Sequence, residues 1–446
     1  MRRWPDTIIL LLVGLSVAGL VIGVRALGGL QAVELRAGDL LTRLTATSPG
    51  DRPPVLVIAA TEADVRTRGW PLPDGVLADA LARLRALSPA VVGVDVYRDR
   101  PVAPGGERLS ALLADWPAVV WVTKFGGPGS AAVAPPAALA ETDRHGFADV
   151  IVDPDGVVRR IPLFLDDGVR FETAFALQLA ARVLAAEGVR LTAAAANPQW
   201  LAVGGTVLPP LEAGDGPYRA IDDRGYQIAL DYARGERPAA QATLSDLLDG
   251  RLARADVAGR VVLIGTRAQT VKDTFETPFT AVRDAPASGV DLHALTVEQV
   301  LRHGLDGAPP MRGLPGWLAA AWIVAAAMLG ALAGGRSRGL CTFAGGAGLL
   351  VVVQGGAVWA LGAVAVWTPA APAAIATGLS LGAGALVAAW RVRAERAALM
   401  ALFSRHLAPA VAERIWQQRA AFLDGGVPRP QVLTATVLFA DIRGFT

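Results

Sequence analysis

From Gly339 to Trp390 the chain carries no charged side chain for 52 residues. Drawn as one helix, that run would measure about 78 Å, more than twice the roughly 30 Å hydrocarbon core of a bilayer. It must double back, and Trp367, Pro369 and Pro372 mark the turn, because tryptophan favours the interface and proline interrupts a helix interior. Two further uncharged runs are each about one crossing long: Thr7 to Val24, 18 residues, and Leu314 to Gly335, 22 residues. A cleaved leader has an apolar core of about 7–15 residues, so the first run reads as an anchor that stays. Four membrane helices are expected, one at the start and three together near the end.

Arginine placement orients them. Arg2 and Arg3, Arg336 and Arg338, and Arg391, Arg393 and Arg396 all fall on one side, which the positive-inside bias makes cytoplasmic. The long segment between the first two crossings is then extracytoplasmic, and Arg25 is expected to snorkel at the end of the first helix. Small residues crowd the last crossings, GGAG near 345 and GLSLGAGA near 378. They read either as close helix packing or as bias in a chain rich in alanine, glycine and arginine, whose only lysines are Lys124 and Lys272. Charged residues make up 18%, against about 25% in ordinary soluble domains. Mean hydropathy is +0.41. A net charge of +2 argues against a nucleic-acid partner, and the single Cys341 excludes a disulfide framework or cysteine-rich zinc site within one chain.

Residues 29–312 alternate charged and apolar positions as a folded α/β domain does. Val55 to Ala60 (VLVIAA) is apolar and β-branched enough for a buried strand. After Pro73 and Asp74, the residues Val76, Leu77, Ala80, Leu81, Leu84 and Leu87 recur at helical spacing until Pro89. Ala90 to Tyr97 (AVVGVDVY) is the next strand, so the unit predicts a parallel pair joined by a crossover helix. Val119 to Thr123 and Val261 to Gly265 are expected as further central strands. Asp153-Pro154-Asp155-Gly156 and Asp166-Asp167-Gly168 are turn signals around RRIPLFL, which Pro162 marks as an edge strand.

Candidate ligand groups in this domain are few. Asp95 ends a predicted parallel strand, where α/β sheets place their ligands, and Thr61 and Glu62 follow another. These three define a possible sensor pocket, the competing reading being loop-capping hydrogen bonds. His293 and His303, ten residues apart on a predicted helix, face different directions and do not suit a metal pair. DPDG reads as a turn rather than a calcium loop, VGGTV at 203–207 is too short for a phosphate loop, and neither a P-loop nor a GxSxG motif occurs.

The order VLVIAATEADV, GWPLP, LARLRALSPAVVGVDVYRDRP, then HGFADVIVDPDGVVRRIPLFL, GRVVLIGTRAQTVKDTFETPF and SGVDLHALTVEQVL resembles CHASE2, an extracytoplasmic sensory domain of bacterial receptors. The likeness runs from about residue 30 to 305 and includes the layout of one preceding and three following membrane helices. Thr61-Glu62 stands where that family often has an acidic pair, a departure at a position where two carboxylates would meet a ligand. The resemblance implies an unknown extracytoplasmic ligand and a bacterial inner-membrane location, with both termini cytoplasmic.

Beyond the last crossing, residues 391–431 read as a linker. Ala398, Leu399, Leu402, Phe403, Leu407, Val411 and Ile415 form an apolar stripe interrupted by Pro409: a helix, a kink and a second helix, suited to pairing with another protomer. Residues 432–446 begin a strand, VLTATVLFA, that runs into Asp441-Ile442-Arg443-Gly444-Phe445-Thr446. A carboxylate at a strand end beside a glycine turn suits Mg²⁺ at phosphates, although one such aspartate is weak on its own. FSRHLAPAVAERIW followed by LDGGVPRPQVLTATVLFADIRGFT is similar to the linker and first strand of class III adenylate/guanylate cyclases, which implies the start of a ferredoxin-like α+β domain. By that resemblance Asp441 binds two Mg²⁺ or Mn²⁺ ions, Ile442 adds its backbone carbonyl, and Gly444, Phe445 and Thr446 meet the substrate phosphates. ATP is the implied substrate, with GTP the alternative, and a homodimer the implied assembly. The metals would lower the pKa of the ribose 3′-hydroxyl and neutralise the attacked α-phosphate.

The rest of such a site would lie after residue 446, so the segment as given is expected to be catalytically incomplete and the front of a longer receptor cyclase. Domains are expected at 1–28 (cytoplasmic end and first helix), 29–312 (sensor), 313–390 (three membrane helices), 391–431 (linker) and 432–446 (cyclase start). The alternative is a non-catalytic CHASE2 sensor acting through a partner protein. A channel or transporter is disfavoured, because Gln354 is the only strongly polar side chain in the last three crossings.

Overall fold

The computed structural model describes residues 6–48, 50–127, 129–219, 221–283 and 285–403, with the short pairs 423–424 and 427–428. Two helices lead in, α1 (Asp6–Ala26) and α2 (Gln31–Thr45). The first half of the domain follows as β1 (Val55–Ala60), α3 (Glu62–Arg68), α4 (Asp74–Leu87), β2 (Val91–Val94), α5 (Gly106–Asp115), β3 (Val119–Thr123) and β4 (His145–Phe147). Next come β5 (Arg160–Asp166), β6 (Phe171–Thr173), α6 (Phe175–Ala186), β7 (Leu191–Ala193), β8 (Leu201–Val203), β9 (Thr206–Leu208) and β10 (Tyr226–Ala229). The second half closes with β11 (Ala240–Thr243), α7 (Leu244–Leu248), α8 (Arg254–Val257), β12 (Val261–Thr266), β13 (Thr274–Phe275), α9 (Thr280–Arg283), β14 (Ala287–Ser288) and α10 (Gly289–Leu305). The last part holds β15 (Arg312–Gly313), α11 (Gly316–Arg336), α12 (Leu340–Gly362), β16 (Val366–Trp367) and α13 (Ala370–Phe403).

The core of the domain is a six-stranded parallel sheet in the order β11-β1-β12-β2-β3-β4. Every residue of β1, β2, β3 and β12 is buried, as strands covered on both faces must be, which is why they read as unbroken apolar runs. Helices α6 and α10 pack together over the sheet, while α4 gathers with α5 and α7. Leu77, Leu81 and Leu84 of α4 enter the same core as Phe175, Leu179 and Leu295.

The sheet order departs from the simple crossover expected of β1–α4–β2. The two strands are parallel but not neighbours: β12 lies between them, pairing Val261 with Val55 on one side and with Val91 on the other. RRIPLFL departs as well. β5 is the middle strand of an antiparallel trio, β10-β5-β6, and Pro162 is tolerated because the register shifts between Tyr226 and Gln227, opposite Phe164 and Pro162. An irregularity of this kind absorbs the missing N–H donor.

Four helices, α1, α11, α12 and α13, are long and apolar enough to cross a membrane. The turn between α12 and α13 holds Trp367 and Pro369, and it is tied to the domain by β15–β16 pairing of Gly313 with Trp367. Arg25 does not point to lipid. Its guanidinium forks onto the Glu34 carboxylate at 2.9 and 3.1 Å and donates to the Gly216 carbonyl at 2.8 Å, contacts that outweigh solvation at an interface. Gln354 donates to Thr377 Oγ1 at 2.7 Å, so its amide is satisfied between α12 and α13.

Close helix packing falls on Gly384, inside the second small-residue run GLSLGAGA, and on Gly334, which lies in neither run. A Cβ at Gly334 would strike the Leu381 carbonyl, and one at Gly384 the Ala331 carbonyl, so α11 and α13 touch backbone to backbone there. Gly345, Gly348 and Gly378 face open space. Gly334→Val should therefore lower the melting temperature of the detergent-solubilised chain by more than 5 °C, since overpacking costs about 1–3 kcal/mol or more. Gly345→Val should leave it within about 1 °C, a typical surface effect; equal losses would refute this assignment of the packed face.

Helix α13 runs unbroken for 34 residues, so the first helix of the expected linker is one piece with the last crossing. Within that linker Leu423–Asp424 pairs antiparallel with Val427–Pro428, a short hairpin rather than helix. The kink at Pro409, the second linker helix and the strand from 432 lie outside the described residues.

Candidate functional site

Parallel sheets expose their strand ends on one edge, and here the carboxyl ends of β2, β3 and β12 open into a cleft of about 590 Å³. Its walls include Trp70, Asp95, Tyr97, Lys124, Asp149, Thr266, Lys272, Asp273, Phe275 and His293. Asp95 is placed by the sheet itself: its N–H donates to the Ile264 carbonyl at 2.7 Å, continuing the β2–β12 ladder. The buried Trp121 indole donates to the next carbonyl, that of Val96, at 2.7 Å. The carboxylate is thus held at the floor of the cleft, with only 11% of the side chain exposed.

Little on the protein answers that charge. Asp95 Oδ2 has no hydrogen-bond partner among the described residues, and the basic group that approaches Oδ1, His293 Nε2, is 4.0 Å away. Burial pushes the Asp95 carboxyl up to about 7. His293, on the first turns of α10 with its ring edge-on to Phe175 at 5.3 Å, is driven down to about 4 by burial, partly opposed by Asp273. It is neutral at physiological pH, and its Nδ1 has no partner either. Asp273 is raised to about 6, first by burial and then by the Asp95 charge. Its carboxylate occupies the space a side chain at residue 289 would need, 2.5 Å from where a Cβ would stand, so glycine is required there.

Three further charged residues line the cleft, Asp149, Lys124 and Lys272. Asp149 Oδ2 accepts from the Phe125 N–H at 2.7 Å. Lys124 follows β3, and Lys272 ends a short turn, Gln269–Val271, in left-handed conformation with φ of 60°. A β-unbranched residue bears such a backbone at modest cost, and strained positions of this kind cluster at ligand clamps.

Of the residues singled out from the sequence, Asp95 lines the cleft and Thr61 and Glu62 do not. Thr61 caps α3, accepting from the Asp64 N–H at 3.3 Å while Asp64 accepts from Thr61 N at 2.9 Å. Glu62 accepts from Thr270 N at 2.9 Å and Thr270 Oγ1 at 3.0 Å; the Thr270 N–H holds its carboxyl below the usual range. Glu62 therefore anchors the turn that presents Lys272. The acidic pair in the cleft is Asp95 with Asp273, which sequence reading did not bring together. Asp153 and Asp155 belong elsewhere, bound to Arg159 at 3.1 and 2.8 Å. His303 bonds the Ala308 carbonyl through Nδ1 at 2.7 Å, far along α10 from His293. Asp441, Ile442, Gly444, Phe445 and Thr446, the residues assigned by resemblance to metal and phosphate, lie outside the described residues.

A buried parallel sheet with a charged cleft at its strand ends, joined to four helices long and apolar enough to cross a membrane, defines an α/β domain of a kind that fits a membrane protein. The chain belongs to the CHASE2 domain family, whose model matches residues 16–332. CHASE2 is an extracytoplasmic sensor domain family. No curated protein and no solved structure matches the chain.

The strained carboxyl of Asp95 has a measurable signature. A raised carboxyl stabilises the fold fully below its unfolded pKa, and that contribution is lost as pH rises through about 7. Asp95→Asn should then raise the melting temperature by roughly 5 °C at pH 8 and by less than half as much at pH 5. Tryptophan fluorescence reads this directly; equal shifts at the two pH values would contradict it.

Proposed function

We propose that the protein is the sensing and membrane-spanning part of a receptor cyclase, converting an extracytoplasmic signal into cyclic-nucleotide synthesis. The observation that carries this reading is the continuity of α13, one helix from the extracytoplasmic turn through the crossing to Phe403. It leads into the segment whose FADIRGFT string is similar to the opening of class III cyclases. Signal enters at the cleft, and α10 connects it to the membrane: His293 on its first turns lines the cleft, and its last turn leads through β15 into α11. Homodimeric pairing of the linkers then sets the alignment of two catalytic domains, with ATP, or alternatively GTP, as substrate. Mg²⁺ or Mn²⁺ held at Asp441 and the Ile442 carbonyl supplies the charge neutralisation that the reaction needs.

In this arrangement the domain lies outside the inner membrane of a bacterium and both ends lie in the cytoplasm. Cys341, the chain's one cysteine, is exposed at the start of α12 beside Arg336 and Arg338, and so reports topology by itself. A membrane-impermeant maleimide added to spheroplasts should leave Cys341 unlabelled until the membrane is permeabilised. In a Cys341→Ser background, Val169→Cys, on a strongly exposed loop position, should label at once. The reverse pattern would invert the topology.

The catalytic half is tested at Asp441. Asp441→Asn in the complete gene product should reduce Mg²⁺- or Mn²⁺-dependent cyclic-nucleotide formation in membranes by at least about 10³-fold, a loss of some 4 kcal/mol of barrier lowering. Membrane insertion should be unchanged. Retained activity would overturn the cyclase reading and favour a sensor that acts through a partner.

A further inference from the structure

The chain holds 42 lysines and arginines, and 40 of them are arginine. Both lysines, Lys124 and Lys272, line the same cleft. Nearly all ion pairs elsewhere in the domain are made by arginine, yet among the described residues neither lysine forms an ion pair or a side-chain hydrogen bond. A compositional bias that replaces lysine everywhere else has not done so where two compact ammonium groups face one space. Lysine offers a point charge on a flexible stem, whereas arginine's planar fork would fill the rim and pair with the nearest aspartate.

The floor is complementary. Asp95 and Asp273 supply two half-buried carboxylates, one with an oxygen lacking any partner among the described residues, beside a neutral His293 whose Nδ1 also lacks one there. Buried polar groups are normally paired, and unpaired ones mark an absent partner. His293 is 3% exposed and lines the cleft, so an unpartnered buried nitrogen belongs to the site itself. Trp70, Tyr97 and Phe275 add aromatic surface of the kind that attracts organic cations. Asp95, Asp273 and Lys124 are half-buried and Lys272 is exposed, so carboxylates and ammonium groups share one opening.

We propose that this cleft binds a small zwitterion of the amino-acid type, its ammonium seated on Asp95 and Asp273 and its carboxylate held by Lys124 and Lys272. The ammonium end satisfies the orphaned Asp95 oxygen, and the carboxylate end explains why lysine survives at these two positions. The volume exceeds that of one amino acid, leaving room for bridging water. A divalent cation alone would use the carboxylates and leave both lysines without a role. The proposal deepens the reading of this domain as a sensor and does not depend on the cyclase.

The test is a thermal-shift screen of the purified full chain at pH 8. The probes are the twenty protein amino acids and the ω-amino acids from β-alanine to 6-aminohexanoate, each at 10 mM by way of about a hundredfold excess over a 0.1 mM dissociation constant. At least one should raise the melting temperature by about 3 °C or more. Its decarboxylated amine and its deaminated acid should each give less than a third of that shift. Calorimetry should then show affinity weakened at least tenfold by Asp95→Asn, by Asp273→Asn and by the pair Lys124→Met and Lys272→Met. Affinity should also fall at least tenfold from pH 8 to pH 5, as Asp95 and Asp273, faced across the cleft by Asp149, Tyr97, Lys124, Lys272 and His293, take up protons. No shift from any zwitterion overturns the proposal, as does an amine or an acid that stabilises as well as the parent. Since binding is read on stability, either failure leaves the Asp441 test standing, and loss of that test leaves the binding result intact.

Discussion

A guanidinium withdrawn from water costs several kcal/mol unless carboxylates surround it, and the architecture of this protein is arranged around one such group. Arg159 is 4% exposed and meets three carboxylates: Asp39 through two bonds of 2.7 and 2.8 Å, Asp155 at 2.8 Å and Asp153 at 3.1 Å. Asp39 belongs to α2, next to the first membrane helix, whereas Asp153 and Asp155 form the turn before β5. Tyr218 extends the knot, donating to Asp153 at 2.9 Å and lying edge-on to Trp367 of the α12–α13 turn. One buried cation therefore joins the entering helix, the domain and the membrane hairpin. Removing any one carboxylate would leave buried guanidinium N–H groups without an acceptor, so these three parts cannot separate without exposing the network to water.

A second connection runs from the cleft. Helix α10 spans 17 residues, about 25 Å, and nearly all of them are buried. Its first turns carry His293 beside the cleft, while its last turn places Arg302 on Asp231 at 2.7 Å and His303 on the Ala308 carbonyl. A packed helix of this kind moves as a unit because its interior neighbours leave no room to deform. As one packed element it links the cleft wall at His293 to the point where the chain turns toward α11.

The apolar helices were legible because lipid imposes a length and a composition that no other environment does; fifty uncharged residues permit few arrangements. Strand identity was legible for the same local reason in VLVIAA and VVLIG. Their order was not, because a strand's neighbours are chosen by long-range pairing, and β12 arrives between β1 and β2 from about 170 residues further along the chain. Pro162 misled in a similar way: a missing donor reads as an edge until the register shift in β10 is seen. In the cleft, Asp95 could be inferred from its place at a strand end. Asp273 and His293 could not, since they reach it from a loop and a helix far along the chain. One signal was present throughout: two lysines among forty-two basic residues, which composition alone treats as a bias and which the fold brings to the same opening.

The unbroken length of α13 has a mechanical consequence. Thirty-four helical residues make a rod of about 50 Å, of which a bilayer occupies some 30 Å. The turn before its first residue is tied to the domain through Trp367, so the rod is anchored at that end and pivots there. Over such a lever a tilt of about 5° carries the far end sideways by about 4 Å, comparable with one residue of chain. Motions too slight to rearrange the domain are, by leverage, large enough to change what the far end of the rod meets.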